Sequence, residues 1–561
     1  MPLSRRAVQG LLAAAAFGAL LAAAAQAQVA PHPVSASTEN EGPAGQVPLG
    51  LLGPRGVGGI KAGVAVAATA LLGLGLSLDR AGRSGPGRRV RDALLAALGV
   101  AGLACWWNLF QFNFPGFAHP SDTFHYYLGA KYFPELGYTR LYECVAVADA
   151  EAGLDAASLR RPMRDLATNA LTTTDAILLD RARCTSHFSG ARWSEFRHDV
   201  DFLRGLVPPR KWTLFQQDHG YNATPAWGLL GHALTNAAPA SQAQLRLLWA
   251  LDPLLLLAMW AAAWWAFGWR LAAVAAIYWG TNYAAPYGWT GGSILRQDWL
   301  AASVFGVALL RRDHPAAGGV LLAWAALLRI FPACLAAGVA LGVLARMLAE
   351  RRVRLRPAER RFAAGALACV ALGVALSSAA AGGLSSWREF AEKSRTHLST
   401  PLANHVGLAT LLSFDSAQRS ARSRDPSLAD PMERWKEARR ARFAERRMLF
   451  VALVAGFAVW LAHAAGRAPL WAGAALGVAL IPVALELTAY YWSALLLLAF
   501  LGGRLPLLAA LLCAFSAAGW AASELWHWTD EIHVALSALG ALLAASVLLL
   551  ETLRRGRVTR V

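Results

Sequence analysis

Charged residues are scarce in this chain. They make up 16% of the 561 residues, whereas hydrophobic residues make up 56%. A soluble domain alternates apolar and polar positions with a helical or strand period, and most of this sequence lacks that alternation. Apolar runs such as 91–111, 247–266 and 532–550 instead approach the roughly 20 residues needed to cross about 30 Å of hydrocarbon. Many such runs exclude a single aqueous core and predict an all-α polytopic membrane protein embedded in a lipid bilayer.

Acidic residues are fewer than basic ones, 35 against 53, which leaves a net charge of +18. Such a balance can indicate a nucleic-acid partner. Here, however, the arginines cluster in short links between apolar runs, at 80–91, 346–361 and 554–560. Short arginine-rich links are typical of cytoplasmic loops. The charge therefore predicts membrane orientation and argues against nucleic acid.

Residues 1–27 have the shape of a signal peptide. Two arginines precede an apolar run that ends in Ala25-Gln26-Ala27, an A-x-A cleavage pattern. An uncleaved first transmembrane helix is the alternative, and both place the following residues outside the cytoplasm. We expect residues 28–90 to contain that extracytoplasmic segment, one helix near 60–78 and a basic cytoplasmic link.

Residues 91–503 are predicted to form the transmembrane core, and 504–561 a final helix pair with a basic cytoplasmic tail. Two polar stretches, 112–242 and 381–446, should be extracytoplasmic loops because they lack long apolar runs. The whole chain should be a bundle of about 12–14 helices. The predicted core and C-terminal crossings are 91–111, 243–266, 270–288, 293–310, a hairpin at 315–346, 361–380, 447–464, 469–486, 490–503, 505–523 and 532–551.

Two segments need individual interpretation. The hairpin 315–346 should break near Arg329–Pro332, because proline removes a helix hydrogen bond. Residues 433–447 are basic yet fall on the outer side, with glutamates among the arginines at helical spacing. An interfacial amphipathic helix explains them, and a miscounted helix nearby is the competing explanation.

Cysteine is rare, and the six cysteines include no C-x-x-C pair, so zinc-ribbon and thioredoxin-like sites find no support. Cys144 and Cys184 share the long first loop, which would lie in an oxidising compartment. We predict a disulfide between them. The other four cysteines lie in apolar runs and are expected to be packing residues.

The segment 119–144 carries the most specific pattern. Asp122 is followed by Tyr126-Tyr127 and, further on, by Leu141-Tyr142. This order resembles the first-loop signature of GT-C glycosyltransferases, particularly the polyprenyl-phosphate-mannose-dependent family 87 type. Taken alone, Asp122 could equally be a helix cap. Lys131, in the same segment, is expected to face solvent or headgroups.

Further segments resemble elements of that family in the same order along residues 91–503. They are Tyr221–Pro225, Leu327–Pro332, Asn404–Leu408 and Tyr490–Trp492. Two features depart from the family: the first loop is longer than expected, and residues 150–215 have no counterpart. The Trp-Trp-Asp signature of oligosaccharyltransferases is absent from the sequence.

The resemblance implies transfer of a sugar from a polyprenyl-phosphate donor to a lipid or glycan acceptor, at the periplasmic face of the inner membrane. Such a reaction needs a base for the acceptor hydroxyl and cations for the departing phosphate. Asp122 is the predicted base, with His125 one helical turn away to orient it. No cofactor is implied, and a divalent metal is not supported because no second acidic residue neighbours Asp122.

Charged residues within or near apolar runs are the candidates for binding the phosphate. Arg329 lies at the hairpin break, and its fork-shaped guanidinium suits phosphate oxygens. Arg296 could do the same, or could form a salt bridge with Asp298 or snorkel. The full set of predicted substrate-binding residues is Tyr126, Tyr127, Asp218, His219, Tyr221, Arg296, Asp298, Arg329, His397, His405, Tyr490 and Tyr491.

Two alternatives stay open. Asp218-His219 could be an acid/base pair, or simply a turn and helix cap. At the level of the whole protein, a transporter or flippase of lipid-linked sugars would also place charges inside the membrane. The absence of a visible internal repeat and the Asp/Tyr cluster in a long loop favour the enzyme.

Overall fold

The computed structural model describes residues 53–83, 85, 87–112, 117–154, 160–526 and 528–558. The predicted signal peptide or first helix, 1–27, and the segment up to residue 52 lie outside these residues. The described α-helices are Pro54–Arg80, Arg88–Trp106, Pro120–Lys131, Phe133–Leu136, Leu141–Glu151, Asp175–Leu179, Ala182–Thr185, Gly190–Gly205, Pro209–Phe215, Pro225–Thr235, Gln242–Phe267, Trp269–Thr281, Tyr287–Thr290, Asp298–Arg311, Pro315–Leu328, Ala333–Glu350, Pro357–Ala380, Ser385–Leu398, Leu408–Ser413, Glu433–Ala465, Leu470–Gly477, Ile481–Ala484, Pro506–Leu525 and Thr529–Val558. The 3-10 helices are Asn108–Phe110, Val478–Leu480 and Ala489–Gly503.

The predicted all-α membrane protein is confirmed. Within the described residues, seven helices are long and apolar enough to cross a membrane by length and composition. Those candidate spans are Arg55–Arg80, Gln242–Phe267, Ala333–Glu350, Pro357–Ala380, Glu433–Ala465, Pro506–Leu525 and Thr529–Arg554. Three shorter apolar helices accompany them, at Pro315–Leu328, Leu470–Ala484 and Ala489–Gly503.

The hairpin at 315–346 breaks where the sequence predicts. Pro315–Leu328 ends at Arg329, whose backbone is extended, and the next helix begins at Ala333 just after Pro332. Pro315–Leu328 also packs closely against Pro357–Ala380. A Cβ on Gly319 would lie 2.2 Å from the carbonyl oxygen of Phe362, so only glycine permits this approach.

Residues 433–447, interpreted from the sequence as an interfacial amphipathic helix, are helical but do not form an element of their own. They form the first part of one continuous helix, Glu433–Ala465, of 33 residues. No proline lies between Glu433 and Ala465 to break the helix. The charged side chains of its first turns pair with carboxylates of the preceding loop, as Lys436 does with Asp430 and Arg442 with Asp415.

The long first loop folds into a helical unit, called here the loop domain (residues 117–241). Its only strands in the described residues, Pro162–Arg164 and Leu171–Thr173, form one antiparallel hairpin. The predicted disulfide is present, with the Cα atoms of Cys144 and Cys184 5.3 Å apart. Residues 150–215, which the family resemblance left without a counterpart, supply much of this unit.

A buried carboxylate ties the loop domain together. Asp149 accepts hydrogen bonds from Arg161, from Nη1 of Arg204 at 2.6 Å and from Nε1 of Trp212 at 2.9 Å. A buried charge is tolerated when it is paired and hydrogen-bonded in this way. The loop domain therefore contains a buried ion-pair network, centred on Asp149, within its interior.

Candidate active site

Two arginines from different connections meet at one tyrosine. The hydroxyl oxygen of Tyr126 accepts hydrogen bonds from Nη1 of Arg296 at 3.0 Å and from Nη2 of Arg329 at 3.1 Å. All three residues are less than 10% exposed. Both guanidinium carbons also lie over the Tyr126 ring, at 5.3 and 5.5 Å from its centroid. Two buried cations are thus held side by side, in what we call the arginine site.

Asp122 forms the anionic side of the arginine site. Its Oδ2 lies 2.7 Å from Nε of Arg296, so Arg296 forms its salt bridge with Asp122, and not with Asp298 as one alternative from the sequence had it. Burial alone would raise the pKa of Asp122, but the guanidinium of Arg296, assisted by His119, His125 and Arg329, brings it below its usual value. Asp122 is therefore a carboxylate at neutral pH.

The local sequence explains why Asp122 points to this place. Helix Pro120–Lys131 begins with proline, and the His119 side chain caps it by accepting a hydrogen bond from the Asp122 backbone nitrogen at 3.2 Å. The Nε2 atom of His119 lies 2.9 Å from the carbonyl oxygen of Gly288. His119, which the sequence interpretation did not select, thus anchors the helix start to the segment that precedes Arg296.

Arg296 is positioned by its backbone. The Asp252 carboxylate accepts hydrogen bonds from the backbone nitrogens of Arg296 at 2.9 Å and Gln297 at 3.1 Å. Leu295, directly before Arg296, has a φ of 48°, a conformation that costs energy for a residue with a side chain. Such strain persists only where the surroundings enforce it, so the connection 291–297 is fixed by its contacts.

Several polar atoms of the arginine site lack hydrogen bonds. Oδ1 of Asp298 accepts a hydrogen bond from the Trp299 nitrogen at 2.7 Å, but its buried Oδ2 has no hydrogen-bond partner in the described part of the chain. The same holds for Nε of Arg329. Buried polar atoms are normally satisfied, and each exception calls for a reason. A ligand that brings hydrogen-bonding groups between these side chains would supply the missing partners.

Aromatic rings enclose the cations. The guanidinium carbon of Arg296 lies 5.4 Å from the Tyr490 ring centroid, and the Tyr490 and Tyr491 rings are 4.6 Å apart. Tyr491 in turn contacts Phe331, with centroids 4.8 Å apart. The two-residue strand pair His405–Val406 and Leu487–Thr488 sets the start of the 3-10 helix that carries the tyrosines.

The segment Tyr221–Pro225 adjoins the arginine site from the loop domain. The Tyr221 ring lies 5.9 Å from that of Tyr126, and Oγ1 of Thr224 donates to the carbonyl oxygen of Leu327 at 2.6 Å. Thr224, and not Asp218 or His219, caps helix Pro225–Thr235. The elements around residues 122, 221, 296, 329 and 490 therefore meet in space although the sequence separates them widely.

Two neighbours of Asp122 along the helix point elsewhere. Nε2 of His125 lies 2.7 Å from the Tyr142 hydroxyl and 3.1 Å from the Phe215 carbonyl oxygen. His125 was predicted to orient Asp122; its Nε2 makes these two contacts instead, and His125 acts on Asp122 only as a neighbouring charge. The Tyr127 hydroxyl donates to Oε1 of Gln244 at 2.7 Å, on the side of the helix away from Arg296.

The expectation that Lys131 faces solvent or headgroups is wrong. Its side chain is completely buried, and its Nζ lies 2.7 Å from Oδ2 of Asp199 and 2.9 Å from Oε1 of Glu195. Tyr132 donates to the same Asp199 oxygen at 2.7 Å. A lysine can be buried when a carboxylate compensates its charge, and here the carboxylates come from helix Gly190–Gly205.

The remaining predicted residues form two further groups. His219 and His397 lie together, with ring centroids 5.0 Å apart, and Oδ1 of Asp218 accepts a hydrogen bond from the His219 nitrogen at 2.8 Å. The Asp218 contact is a turn interaction and does not join its carboxylate to the His219 ring. His405 is buried beside Glu486, with Nδ1 3.9 Å from Oε1, and Glu486 is paired with Arg439.

No family model, curated protein or solved structure matches this chain. Function therefore has to be inferred from the site residues themselves. Within the part of the chain that the structure describes, no group of three or more histidine, cysteine, aspartate or glutamate residues is placed to hold a metal ion. The arginine site offers two guanidinium groups and tyrosine hydroxyls, which suit an anionic substrate. It also offers a carboxylate, which can accept a proton.

Proposed function

We propose that this protein is a GT-C-like membrane glycosyltransferase. It would take a sugar from a polyprenyl-phosphate donor and attach it to a lipid or glycan acceptor at the periplasmic face of the inner membrane. Its membrane part would be a bundle of about 12–14 helices. The observation that carries the proposal is the meeting of Asp122, Arg296 and Arg329 around Tyr126. The family resemblance of the surrounding segments agrees with it.

The two guanidinium groups provide for the phosphate. Arg296 and Arg329 present several N–H donors on either side of one hydroxyl, and their planar forks match phosphate oxygens. A phosphate that bound here would share the guanidinium of Arg296 with Asp122. Relieved of part of that ion pair, the Asp122 carboxylate becomes more basic. Donor binding would thus prepare the base for its task.

The transfer itself is one displacement. The acceptor oxygen forms a bond to the anomeric carbon while the bond from that carbon to the phosphate oxygen breaks, and the electron pair leaves with the polyprenyl phosphate. Asp122 takes the proton of the acceptor hydroxyl. Arg296 and Arg329 stabilise the charge that grows on the leaving phosphate. A single displacement inverts the configuration at the anomeric carbon.

Reconstitution separates this enzyme from a transporter of lipid-linked sugars. The purified chain would be placed in lipid vesicles with a polyprenyl phosphate that carries a radiolabelled sugar, and a crude lipid or glycan extract would be added as acceptor. We expect the label to leave the polyprenyl phosphate and join the acceptor. Movement of intact labelled donor between the leaflets without transfer would overturn the proposal in favour of a flippase. Lipid analysis of a deletion strain, which should accumulate the donor, gives a second measurement.

A further inference from the structure

Two buried cations, one in the loop domain and one in helix Ser385–Leu398, form no ion pair with a carboxylate in the described residues. Lys393 is 6% exposed, and its Nζ donates to the carbonyl oxygen of Leu166 at 2.8 Å. Arg164 is 9% exposed and donates to the carbonyl oxygens of Gln217 at 2.8 Å and Asn169 at 2.7 Å. In the described residues neither side chain forms an ion pair. Buried charges are usually paired, so their placement here calls for an anion.

Two imidazoles lie beside these cations. His219 and His397 are only half-buried, and their ring centroids are 5.0 Å apart. Nδ1 of His219 lies 2.8 Å from Oδ1 of Asn169, whereas the buried Nδ1 of His397 has no hydrogen-bond partner among the residues described. The histidines thus form the accessible edge of the cluster, and Lys393 and Arg164 form its buried part.

Burial and the neighbouring basic groups disfavour the protonated forms of Lys393, His219 and His397. Burial, reinforced by Arg164, lowers the pKa of Lys393 to about 8. Burial and the nearby Lys393 lower the pKa of His397 to about 4, and burial with His397 and Arg164 brings the pKa of His219 well below its usual value. Lys436, which also acts on His219, is already paired with Asp430.

The nearby carboxylates act on the cluster at a distance, without an ion pair to Arg164 or Lys393 in the described residues. Asp165 acts on Lys393, but its carboxylate accepts hydrogen bonds from the Ala167 nitrogen at 2.9 Å and from Oγ1 of Thr168 at 2.8 Å. Asp218 acts on His397 but is exposed and accepts from the His219 nitrogen. Asp430, which interacts with Arg164, is paired with Lys436. Arg164 and Lys393 therefore have no carboxylate in direct contact among the described residues, at a place that solvent reaches.

We propose that Arg164, His219, Lys393 and His397 form a second anion site, which binds a phosphate or carboxylate group of the acceptor. The identification of the ligand as the sugar acceptor rests on the proposed transfer reaction. The existence of the anion site does not. His219 is two residues from Tyr221, whose ring contacts that of Tyr126 in the arginine site. Residues two apart in sequence are at most about 7 Å from each other. Tyr221 therefore connects the two sites, and an acceptor long enough to extend from the cluster past Tyr221 would present a hydroxyl group to Asp122.

The test measures anion binding directly, in a protein whose arginine site is disabled. The double variant Arg296→Gln/Arg329→Gln would be placed in nanodiscs of pure phosphatidylcholine, so that no anionic lipid competes. Inorganic phosphate and glucuronate would be titrated separately and followed by calorimetry. We expect saturable binding of at least one of them, weakened about tenfold or more by an added Lys393→Gln or His397→Ala. His397 makes no hydrogen bond through Nδ1, so its replacement should preserve folding and keep the test decisive if Lys393→Gln unfolds.

Each outcome has a defined meaning. Binding of phosphate alone indicates a phosphorylated acceptor, and binding of glucuronate alone indicates a uronic-acid acceptor. If neither anion binds, or if binding survives both added changes, the second anion site is refuted, and Lys393 and Arg164 serve only to hold backbone carbonyl oxygens. If anion binding is found but the unmodified protein transfers no sugar, the proposed function fails while the anion site stands.

Discussion

Arg296 and Arg329 share one hydrogen-bond acceptor, the hydroxyl oxygen of Tyr126, at 3.0 and 3.1 Å. Arg296 belongs to the connection before helix Asp298–Arg311, and Arg329 to the break after helix Pro315–Leu328. Tyr126 comes from a helix of the loop domain. One side chain of the loop domain thus links two breaks between apolar helices, and this linkage gives the arginine site its shape.

Replacement of Tyr126 by phenylalanine tests that linkage. The variant Tyr126→Phe keeps the ring under both guanidinium groups but removes the shared acceptor. We expect weaker donor binding, with an increase of about tenfold in the KM for the polyprenyl-phosphate sugar, because the two arginines lose their alignment. Tyr127→Phe is the matched control, since that hydroxyl donates to Gln244 away from the site. A donor KM that rises equally in both variants would contradict the role of Tyr126.

The geometry of Arg329 can be separated from its charge. The variant Arg329→Lys keeps a positive charge but loses the fork that contacts phosphate oxygens. We expect kcat/KM to fall by about tenfold or more, as measured with purified protein. Arg270→Lys is the control, because Arg270 is not part of the arginine site. It forms a partly exposed ion pair with Asp92, at 2.5 Å. Normal kcat/KM in Arg329→Lys would remove Arg329 from the phosphate site.

Loss of the disulfide should loosen the loop domain. The bridge between Cys144 and Cys184 closes a sequence separation of 40 residues. On the chain-entropy model such a loop contributes about 4 kcal/mol to stability. Cys184→Ser should therefore lower the thermal midpoint and speed proteolysis within the loop domain, as followed by mass spectrometry. Cys369→Ser, which removes a free cysteine, should change neither. Equal protease resistance in both variants would show that the bridge adds nothing.

The half-buried histidines should make stability depend on pH. The pKa of His397 is lowered to about 4, below its ordinary value of 6.5, by burial and by Lys393. Between these values the unfolded chain binds the proton and the folded chain does not, so stability falls as the pH drops from 6.5 to 4. His397→Gln should reduce this loss, measured as the thermal midpoint against pH. An unchanged slope of the thermal midpoint between pH 6.5 and 4 in His397→Gln would show that His397 is not the source of this dependence.

The sequence predicts the individual residues of the site better than their arrangement. Asp122, Arg296 and Arg329 stand out because charge near apolar runs is unusual. Their meeting at Tyr126 depends on contacts between segments up to 203 residues apart, which no local pattern reveals. Helical spacing alone suggested that His125 orients Asp122, but Nε2 of its ring contacts the Tyr142 hydroxyl and the Phe215 carbonyl oxygen. His119 could have been found from its place just before Pro120 at the helix start.

Burial of charge was the other limit of prediction from sequence. Lys131 looks like a surface residue in a polar loop until helix Gly190–Gly205 brings Asp199 to it. The basic residues of 433–447 look interfacial because their carboxylate partners lie in a different segment. By contrast, the break at Arg329–Pro332 and the disulfide follow from local rules, a proline and a pair of cysteines in one loop. Local features were predictable, and long-range compensation was not.

The role of Asp122 as base decides the functional proposal. The structure narrows the alternatives, because His119 provides the helix cap and the Asp122 carboxylate instead meets Arg296 at 2.7 Å. Asp122→Asn keeps the size of the side chain but removes the charge that accepts a proton. If Asp122 is the base, transfer should fall by about a hundredfold or more while the protein still folds and inserts. Product formation by purified protein, together with its thermal midpoint, is the measurement.

The control for that experiment is Asp218→Asn. Asp218 is exposed, its carboxylate accepts only a local backbone hydrogen bond among those described, and it was the second candidate for the base. We expect this variant to keep its activity within about twofold. If Asp122 is purely structural, Asp122→Asn should lower the thermal midpoint and leave product formation near normal. In that case the substitution removes the ion pair with Arg296 but does not remove a proton acceptor that the reaction uses. Another outcome is normal product formation by well-folded Asp122→Asn and loss of activity in Asp218→Asn. It would assign the role of base to Asp218. The arginine site would then be an anion site without a catalytic carboxylate.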